Sequence, residues 1–314
     1  MDNTSFNMVF TLSAFKESKA NKYIFFPLTS AVYLVIIVCN LTLIVTILRE
    51  RALHDPMYIF LCNLCINGLF GTAGFYPKFL SDLLSDSHVI SYNGCLLQIF
   101  VIYSYSMCEY TTLTLMAYDR FVAICRPLEY HMIMTAHTIG KLILFSWSFP
   151  FLSVLIGILL TNRLPLCGFH IDKLYCDNWS VVKLSCIPTT TNNVFGFIVI
   201  ILSVGHGIFI LYSYMKLIPA CKKSRDNQKK FMQTCLPHLI SLINFTIAIL
   251  FDLMFSRYGP KDFPQSVRHF LQVEFLVIPP LFNPLIYGLK VNEVRKRILK
   301  KHKVTDSLHT RKKR

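Results

Sequence analysis

The sequence predicts an all-α membrane protein, a bundle of seven transmembrane helices followed by a short amphipathic eighth helix. Of the 314 residues, 54% are hydrophobic and only 16% are charged, whereas a soluble domain usually carries about 25% charged residues. The apolar residues are grouped in seven blocks, each long enough for the roughly 20 residues that cross a bilayer. These observations argue against a soluble enzyme, and the sequence shows no nucleophile–base set or metal cluster.

The chain divides into an N-terminal segment, a seven-span domain and a tail. Residues 1–23 are polar and mixed, and Asn3 begins an Asn-Thr-Ser sequon that is a glycosylation site if this end lies outside the cell. Residues 24–289 contain the spans, and residues 290–314 form a basic tail in which VNEVRKRIL predicts the amphipathic helix on the membrane surface. The predicted spans are Ile24–Leu48, Met57–Leu80, Cys95–Val122, Gly140–Leu160, Asn193–Leu217, Met232–Phe255 and Val267–Leu289.

The positions of the basic residues predict the orientation in the membrane. Lys and Arg are enriched on the cytosolic side of membrane proteins, and 22 of the 32 fall in three alternate loops, their flanks and the tail. The tail is therefore expected in the cytosol and the N-terminus outside, in a multi-pass protein of the plasma membrane. This topology and an attraction to anionic lipid account for the net charge of +15, so no nucleic-acid partner is expected.

The inner end of the third span carries a charged pair, Asp119 and Arg120, in the string MAYDRFVAICRPLEY. Charged residues at the end of a buried helix are costly and are functional candidates, although a membrane-interface anchor is the alternative. The string resembles the MAYDRYVAIC segment of odorant receptors, which belong to the rhodopsin-like G-protein-coupled receptors. Phe121 stands where that family usually has Tyr.

Three further strings resemble motifs of the same family, in the same order along the chain. LHDPMYIF is similar to LHTPMYFF at the first inner turn, and NPLIY, which begins at Asn283, matches the NPxxY pattern. QTCLPHL, which contains His238, is similar to the TCxxHL pattern of the sixth helix, and its proline makes it look most like fish odorant receptors. The chain is on this basis identified as a member of the odorant receptor family.

The resemblance implies a receptor that binds a small-molecule odorant and activates a heterotrimeric G protein of the stimulatory, olfactory type, which raises cyclic AMP. It implies that Asp119 restrains Arg120 at rest, and that Arg120 engages the G protein once the sixth helix moves outward. The residues that the family motifs assign to coupling and activation are Asp119, Arg120, Phe121, His238, Asn283, Pro284 and Tyr287.

Four of the eleven cysteines lie on the predicted outer side. An even number in an oxidising compartment indicates bridges, and the sequence alone leaves three pairings open. The string LPLCGFHIDKLYCDNWSVVKLSC, however, resembles the long second outer loop of odorant receptors. That resemblance implies the bridges Cys95–Cys176 and Cys167–Cys186.

Glu109 is expected near the middle of the membrane. A rise of about 1.5 Å per residue puts it about 21 Å below Cys95 and about 16 Å above Arg120, and a carboxylate at that depth must be paired, protonated or bound to a cation. The resemblance implies a site for a structural sodium ion here, and no other cofactor is expected. The second helix, however, has Gly68 where many receptors have Asp, so a protonated, hydrogen-bonded Glu109 is the alternative.

The ligand pocket is expected in the outer half of the bundle, between the third, fifth, sixth and seventh helices. On the third helix Tyr103, Ser106, Met107 and Tyr110 share one face through their i, i+3, i+4, i+7 spacing, which is also typical of plain helix packing. Arg257 ends the sixth span on the outer side. Some odorant receptors hold an acidic ligand with an Arg at this place, so Arg257 is a candidate carboxylate anchor, and an interface charge is the alternative.

Two other classes of function are alternatives to an odorant receptor. A non-olfactory chemosensory receptor of the same family has the same motifs, and only its tissue of expression separates the two. A transporter or channel is expected to show internal repeats, paired broken helices or charges along several spans. Only Glu109, Asp252 and Glu274 stand out in this way, which favours a receptor.

Overall fold

The computed structural model describes residues 8–13, 19–222, 236–259 and 264–290. Within them, seven long helices and two short ones follow each other along the chain. The predicted eighth helix, Asn3 and the start of the predicted sixth span at Met232 lie outside the described residues. The helices are α1 (Lys19–Arg49), α2 (Pro56–Leu84), α3 (Tyr92–Cys125), the short α4 (Tyr130–Ile133), α5 (Ala136–Asn162), the short α6 (Asn178–Val182), α7 (Thr190–Lys222), α8 (Leu236–Tyr258) and α9 (Gln265–Lys290).

Six of the seven long helices in the described part of the chain are long and apolar enough to span a membrane. The other one is α3, and its position in the bundle explains the difference. It packs against α2, α5 and α7, and it buries polar side chains such as Ser104, Glu109 and Thr112 among them. A helix surrounded by protein does not need the apolar composition of one that faces lipid. The seven-helix fold class predicted from the sequence is confirmed.

Local capping signals set where the long helices begin. The hydroxyl of Ser91 accepts a hydrogen bond from Gly94 N at 3.2 Å and starts α3, and Thr135 does the same for Thr138 N at 3.3 Å and starts α5. Pro56 is the first residue of α2, where its missing N–H has no helical partner to lose. The caps give α3 a length of 34 residues, longer than the predicted third span.

A three-stranded sheet covers the outer end of the bundle. Strand β1 (Val9–Leu12) lies between β2 (Val89–Ser91), with which it is antiparallel, and β3 (His170–Ile171), with which it is parallel. Phe10 of β1 is completely buried beneath the sheet. Part of the N-terminal segment, predicted only as polar and mixed, therefore closes over the outer loops.

Candidate ligand and coupling sites

A cavity of about 250 Å³ lies in the outer half of the bundle. Its walls come from α3, α5, α7 and α8, and the loop that contains α6 covers its outer end. The sequence predicted that the seventh span, here α9, would form part of the wall. This is wrong for the described residues, since the fourth span, α5, lines the cavity and α9 does not. Two tyrosines explain this, because they fill the space in front of α9: Tyr105 donates to Phe275 O at 2.9 Å, and Tyr175 to Gln272 O at 3.4 Å.

The five residues predicted to bind the ligand all lie on the wall of this cavity. The four on α3 form one continuous face, as their spacing predicted, and Tyr110 at its inner end packs edge-on against Phe245 with ring centroids 5.0 Å apart. The fifth, on α8, lies at the outer end. The structure therefore brings Tyr103, Ser106, Met107, Tyr110 and Arg257 together around one space.

The cavity wall is charged only at its outer end among the described residues, where Asp177 and Arg257 lie. Deeper in the cavity, hydroxyl groups donate to their own helices: Ser106 to Ile102 O at 3.0 Å and Ser203 to Val199 O at 2.9 Å. Most other wall residues are aliphatic or aromatic. Such a cavity suits a molecule with an apolar body and one polar end.

Arg257 is held in place by neutral groups. Its guanidinium carbon lies 4.0 Å from the ring centroid of Trp179 and 4.9 Å from that of Phe197, and Nη1 donates to Asn193 Oδ1 at 2.7 Å. Gly196 makes room for it, because a Cβ atom there would come within 2.6 Å of Nη2. A guanidinium has five N–H donors, so this packing orients the group and leaves donors for a ligand.

A buried ion cluster, here called the loop lock, consists of Lys173, Asp177 and Asp252. The ammonium of Lys173, in the outer loop, lies 2.6 Å from Asp177 Oδ2 and 2.6 Å from Asp252 Oδ1 of α8. All three side chains are at most 2% exposed, and the ammonium also lies 5.1 Å from the ring centroid of Tyr175. The loop lock joins the roof of the cavity to the outer part of α8.

The pKa shifts in the outer loop favour the charged forms of Lys173 and Asp177. Burial alone would lower the pKa of Lys173, but the carboxylates of Asp177 and Asp252 outweigh it and raise that pKa. Burial likewise acts to raise the pKa of Asp177, but Lys173 outweighs it and the pKa is lowered. The lysine contributes stability below its unfolded pKa and the aspartate above its unfolded pKa, so both contributions are present together at neutral pH.

Two disulfides tie the outer loop down. Cys95 at the start of α3 is bonded to Cys176, with Cα atoms 5.4 Å apart, and Cys167 is bonded to Cys186, with Cα atoms 5.2 Å apart. These are the two pairings that the family resemblance implied. The first bridge lies directly beside the loop lock, so it sets the position of the cavity's roof relative to α3.

Loss of the first bridge should impair folding in a non-additive way. Cys95→Ser and Cys176→Ser each remove the same bond, so each should lower surface expression, and the double variant should be no worse than either single one. Cys125→Ser, which removes a free thiol at the inner end of α3, is the matched control and should express normally. Flow cytometry of a surface epitope measures this, and additive defects would contradict the pairing.

The two charged residues at the inner end of α3, Asp119 and Arg120, bind each other. Asp119 is fully buried; its Oδ2 accepts from Arg120 Nε at 2.8 Å and from Nη2, and its Oδ1 accepts from the Tyr130 hydroxyl at 2.7 Å. Tyr130 begins the short α4 and was not predicted to have a role. Phe121, the departure from the family pattern, is half-buried next to this pair.

His238 ties three helices together at the same end of the bundle. Its Nε2 lies 2.8 Å from Leu113 O of α3, and its Nδ1 lies 2.7 Å from the Tyr214 hydroxyl of α7. The side chain is buried, and it projects from the first turns of α8. Any outward movement of α8 at this end must break both contacts.

Glu109 lies in a buried polar cluster between α2, α3 and α9. Its Oε1 accepts from Asn283 Nδ2 at 2.8 Å, and its Oε2 from Asn67 Nδ2 at 2.9 Å. Beyond Asn283, Pro284 and Tyr287 are buried in the same helix. The NPLIY motif is therefore joined to the centre of α3, although neither its sequence nor that of α3 indicated this bond.

A sodium ion fits this cluster through oxygen atoms of two residues. Among the described residues, no group of three or more His, Cys, Asp or Glu side chains could hold a metal ion. Asn67 Oδ1, however, is buried without a hydrogen-bond partner, and with the Glu109 carboxylate it supplies the oxygen ligands that hard cations prefer. The hydrogen bonds from the two amides also satisfy Glu109 without an ion, so both predicted alternatives remain predictions.

Asp252 and Glu274, the two other acidic residues singled out from the sequence, also have partners. Asp252 belongs to the loop lock, and Glu274 Oε1 accepts from Asn244 Nδ2 of α8 at 2.9 Å. None of these contacts forms a continuous charged path along several helices in the described part of the chain.

A bundle of seven long helices that includes α3, an outer cavity, and an Asp119–Arg120 pair at the inner end define a receptor of the rhodopsin type. The crystal structure of squid rhodopsin matches the fold with a TM-score of 0.73, over 96% of this chain and 84% of that one, at 15% identity. The sequence pattern of the olfactory receptor family matches residues 29–304. Olfactory receptor 52D1 of Homo sapiens is 37% identical over 275 residues, 86% of each chain, and olfactory receptor 51E1 of Homo sapiens is 34% identical over 293 residues, 90% of this chain and 89% of that one.

The chain belongs to the olfactory receptor family, as its motifs predicted. It is an odorant G-protein-coupled receptor and not an enzyme. The relatives named here are human, and the likeness to fish receptors stays a prediction.

Proposed function

We propose that this receptor lies in the plasma membrane with its N-terminus outside, and that an acidic odorant in the cavity makes it activate a stimulatory, olfactory-type G protein and raise cyclic AMP. The disulfide-bonded loop and the sheet lie at the end of the bundle opposite Arg120, and this supports the orientation, because disulfides belong to the oxidising side. Asn3 is then available for glycosylation. The basic tail then faces the anionic lipid of the inner leaflet.

The observation that supports G-protein coupling is the closed set of contacts at the inner end. Asp119 neutralises and holds Arg120, and the Tyr130 hydroxyl donates to Asp119 on its other side. His238 holds α8 against α3 and α7. A ligand that favours an outward position of α8 separates these contacts and turns Arg120 toward the cytosol. Ligand binding thereby shifts a pre-existing equilibrium between two arrangements of the same helices.

The centre of the bundle carries the movement from the cavity to the inner end. Asn283 is bonded to Glu109, so a shift of α3 changes the place of α9 and repacks Pro284 and Tyr287. Sodium held by Glu109 and Asn67 would neutralise the carboxylate and favour the resting arrangement. In the alternative, a proton on Glu109 supplies the same neutralisation.

The observation that supports an acidic ligand is the oriented guanidinium of Arg257. Among the described residues it is paired with neutral partners, Asn193, Trp179 and Phe197. A carboxylate at the outer end of the cavity would receive charge-assisted hydrogen bonds from a group that is already in position. The apolar remainder of the cavity would then hold the body of the odorant.

A screen of matched small molecules tests this proposal. Acids, their methyl esters, amines, aldehydes and steroids should be compared in transfected cells by the cyclic-AMP response. We expect acids of medium chain length to be active at the lowest concentrations. If the receptor reaches the surface but gives a cyclic-AMP response only to amines or only to uncharged compounds, the proposed acidic ligand class is contradicted. The coupling proposal is then left intact.

A further inference from the structure

The loop that covers the outer end of the cavity is fixed at several points. Trp179 of α6 is stacked on Arg257, and Lys183 of the same loop donates to Ser256 O at the end of α8. The loop is fixed to α3 by the Cys95–Cys176 bridge and to α8 by the loop lock. Strand β1 is hydrogen-bonded across the outer loops above it. A ligand that arrives from the outer solution would therefore have to displace this loop.

The side of the cavity between α7 and α8 is different. The two helices meet at the outer end, where Arg257 is bonded to Asn193, and near the inner end, where the Tyr214 hydroxyl lies 2.7 Å from His238 Nδ1. The cavity lies in the interval between these two contacts. Within that interval, α8 turns one stripe of residues toward α7, with i, i+4, i+7, i+11 spacing: Thr246, Leu250, Leu253 and Arg257.

The facing residues of α7 line the cavity and keep large exposed fractions. Val204, Ile208 and Leu211 line the cavity, yet they are 41%, 62% and 51% exposed. Gly207 also lines the cavity, and a Cβ atom added to it would meet nothing within 4 Å. We call these four residues the side opening. They lie on a helix that is long and apolar enough to span the membrane, so the part of this surface that is turned away from the cavity faces hydrocarbon.

We propose that the ligand enters the cavity from the bilayer through the side opening between α7 and α8. The ligand class is an acid with an apolar chain, which concentrates in the membrane because its chain leaves water. Its chain passes the aliphatic rim formed by Val204, Ile208 and Leu211, and its carboxyl end reaches Arg257 at the outer end of the cavity. This inference rests on the acidic ligand proposed above and adds the route by which that ligand arrives.

A photoreactive fatty acid tests the route without relying on signalling. Decanoic acid with a diazirine group in mid-chain is added to vesicles that contain the whole receptor, and samples are irradiated at increasing times. Mass spectrometry then follows labelling of the peptide that contains Met107, on the cavity wall. Ile208→Trp places an indole across the side opening and should slow cavity labelling about tenfold, a barrier higher by about 1.4 kcal/mol.

The matched control is Ile201→Trp. Ile201 is on the same helix and 67% exposed, but it does not line the cavity, so its substitution should leave the labelling rate unchanged. Ile208→Ala widens the side opening and should speed labelling, which keeps the test valid if Ile208→Trp folds poorly. Equal rates in all four receptors, or equal slowing by both Trp variants, would overturn the route. Absence of cavity labelling in every receptor would instead overturn the acidic ligand class, and the route with it.

Discussion

Arg120→Ala should abolish the cyclic-AMP response to every agonist while leaving most of the receptor at the cell surface. In the resting arrangement Asp119 binds Arg120 and holds it away from the cytosol. We propose that Arg120 contacts the G protein once α8 has moved outward. The substitution therefore removes the contact with the G protein as well as the resting pair with Asp119. The response of the variant should therefore stay below detection even at saturating agonist.

Arg126→Ala is the matched control for this experiment. Arg126 lies just beyond the same helix, is 59% exposed, and is 3.7 Å from the exposed Glu129. An exposed pair of this kind contributes about 0–1 kcal/mol, so its loss should leave the response nearly unchanged. Surface expression and cyclic AMP must be measured on the same cells. A full response from Arg120→Ala would refute the assigned coupling site.

Lys173→Met should cost more stability than any other single loss of charge in the outer loop. It leaves Asp177 and Asp252 facing each other in a buried site, and breaking a buried ion pair from one side costs about 3–5 kcal/mol. A loss of that size is a large part of the stability of a typical domain. We expect little receptor at the cell surface and a much lower melting temperature for the purified protein.

Lys183→Met is the control within the same loop, since Lys183 is exposed, donates to a carbonyl on α8 and lies 6.0 Å from the ring centroid of Trp179. Its loss should cost about 1 kcal/mol, as for a single hydrogen bond. Adding Asp252→Asn to Lys173→Met removes one of the two stranded charges and should restore part of the stability. If the loss of unfolding free energy in the double variant equals the sum of the losses in the two single variants, the groups do not interact.

The seven-helix architecture was predictable because the bilayer restricts what a chain can do. Apolar runs of the required length must become helices in lipid, and loop charges then predict the orientation. The inner end of α3 was predictable for a different reason, since the string around Asp119 and Arg120 resembles a whole family. The cavity face from Tyr103 to Tyr110 followed from helical spacing alone. These features all depend on residues that are close together in the sequence.

The features that sequence did not reveal depend on distant residues. Asp252 is 79 residues from Lys173, and neither neighbourhood marks the other as a partner. Strand β1 has only four residues and finds its partners in two loops, so it has no period of its own to detect. The role of α5 in the cavity wall was missed because Tyr105 and Tyr175 displace the cavity from α9. Tyr130 carried the one usable signal, since it ends the string that resembles the family.

The central claim is that Arg257 holds the acidic end of the ligand, and a pair of dose–response curves tests it most directly. An acid and its methyl ester are applied to the wild type, Arg257→Ala and Arg257→Lys, with the cyclic-AMP response as the measurement. Leaving one partner of such a contact unpaired costs roughly 2–5 kcal/mol, so Arg257→Ala should raise the half-maximal concentration of the acid about 30-fold or more. Arg257→Lys keeps the charge but loses the paired N–H donors of the guanidinium. The half-maximal concentration of the acid for this variant should therefore lie between those for the wild type and Arg257→Ala.

The ester is the internal control, because it has no charge for the guanidinium to bind. The account predicts that the ester is weak on the wild type and that its half-maximal concentration hardly changes in either variant. It predicts a large shift for the acid alone. Curves for the acid that coincide in the wild type and Arg257→Ala, at equal surface expression, would contradict the claim and leave Arg257 as a charge at the membrane interface.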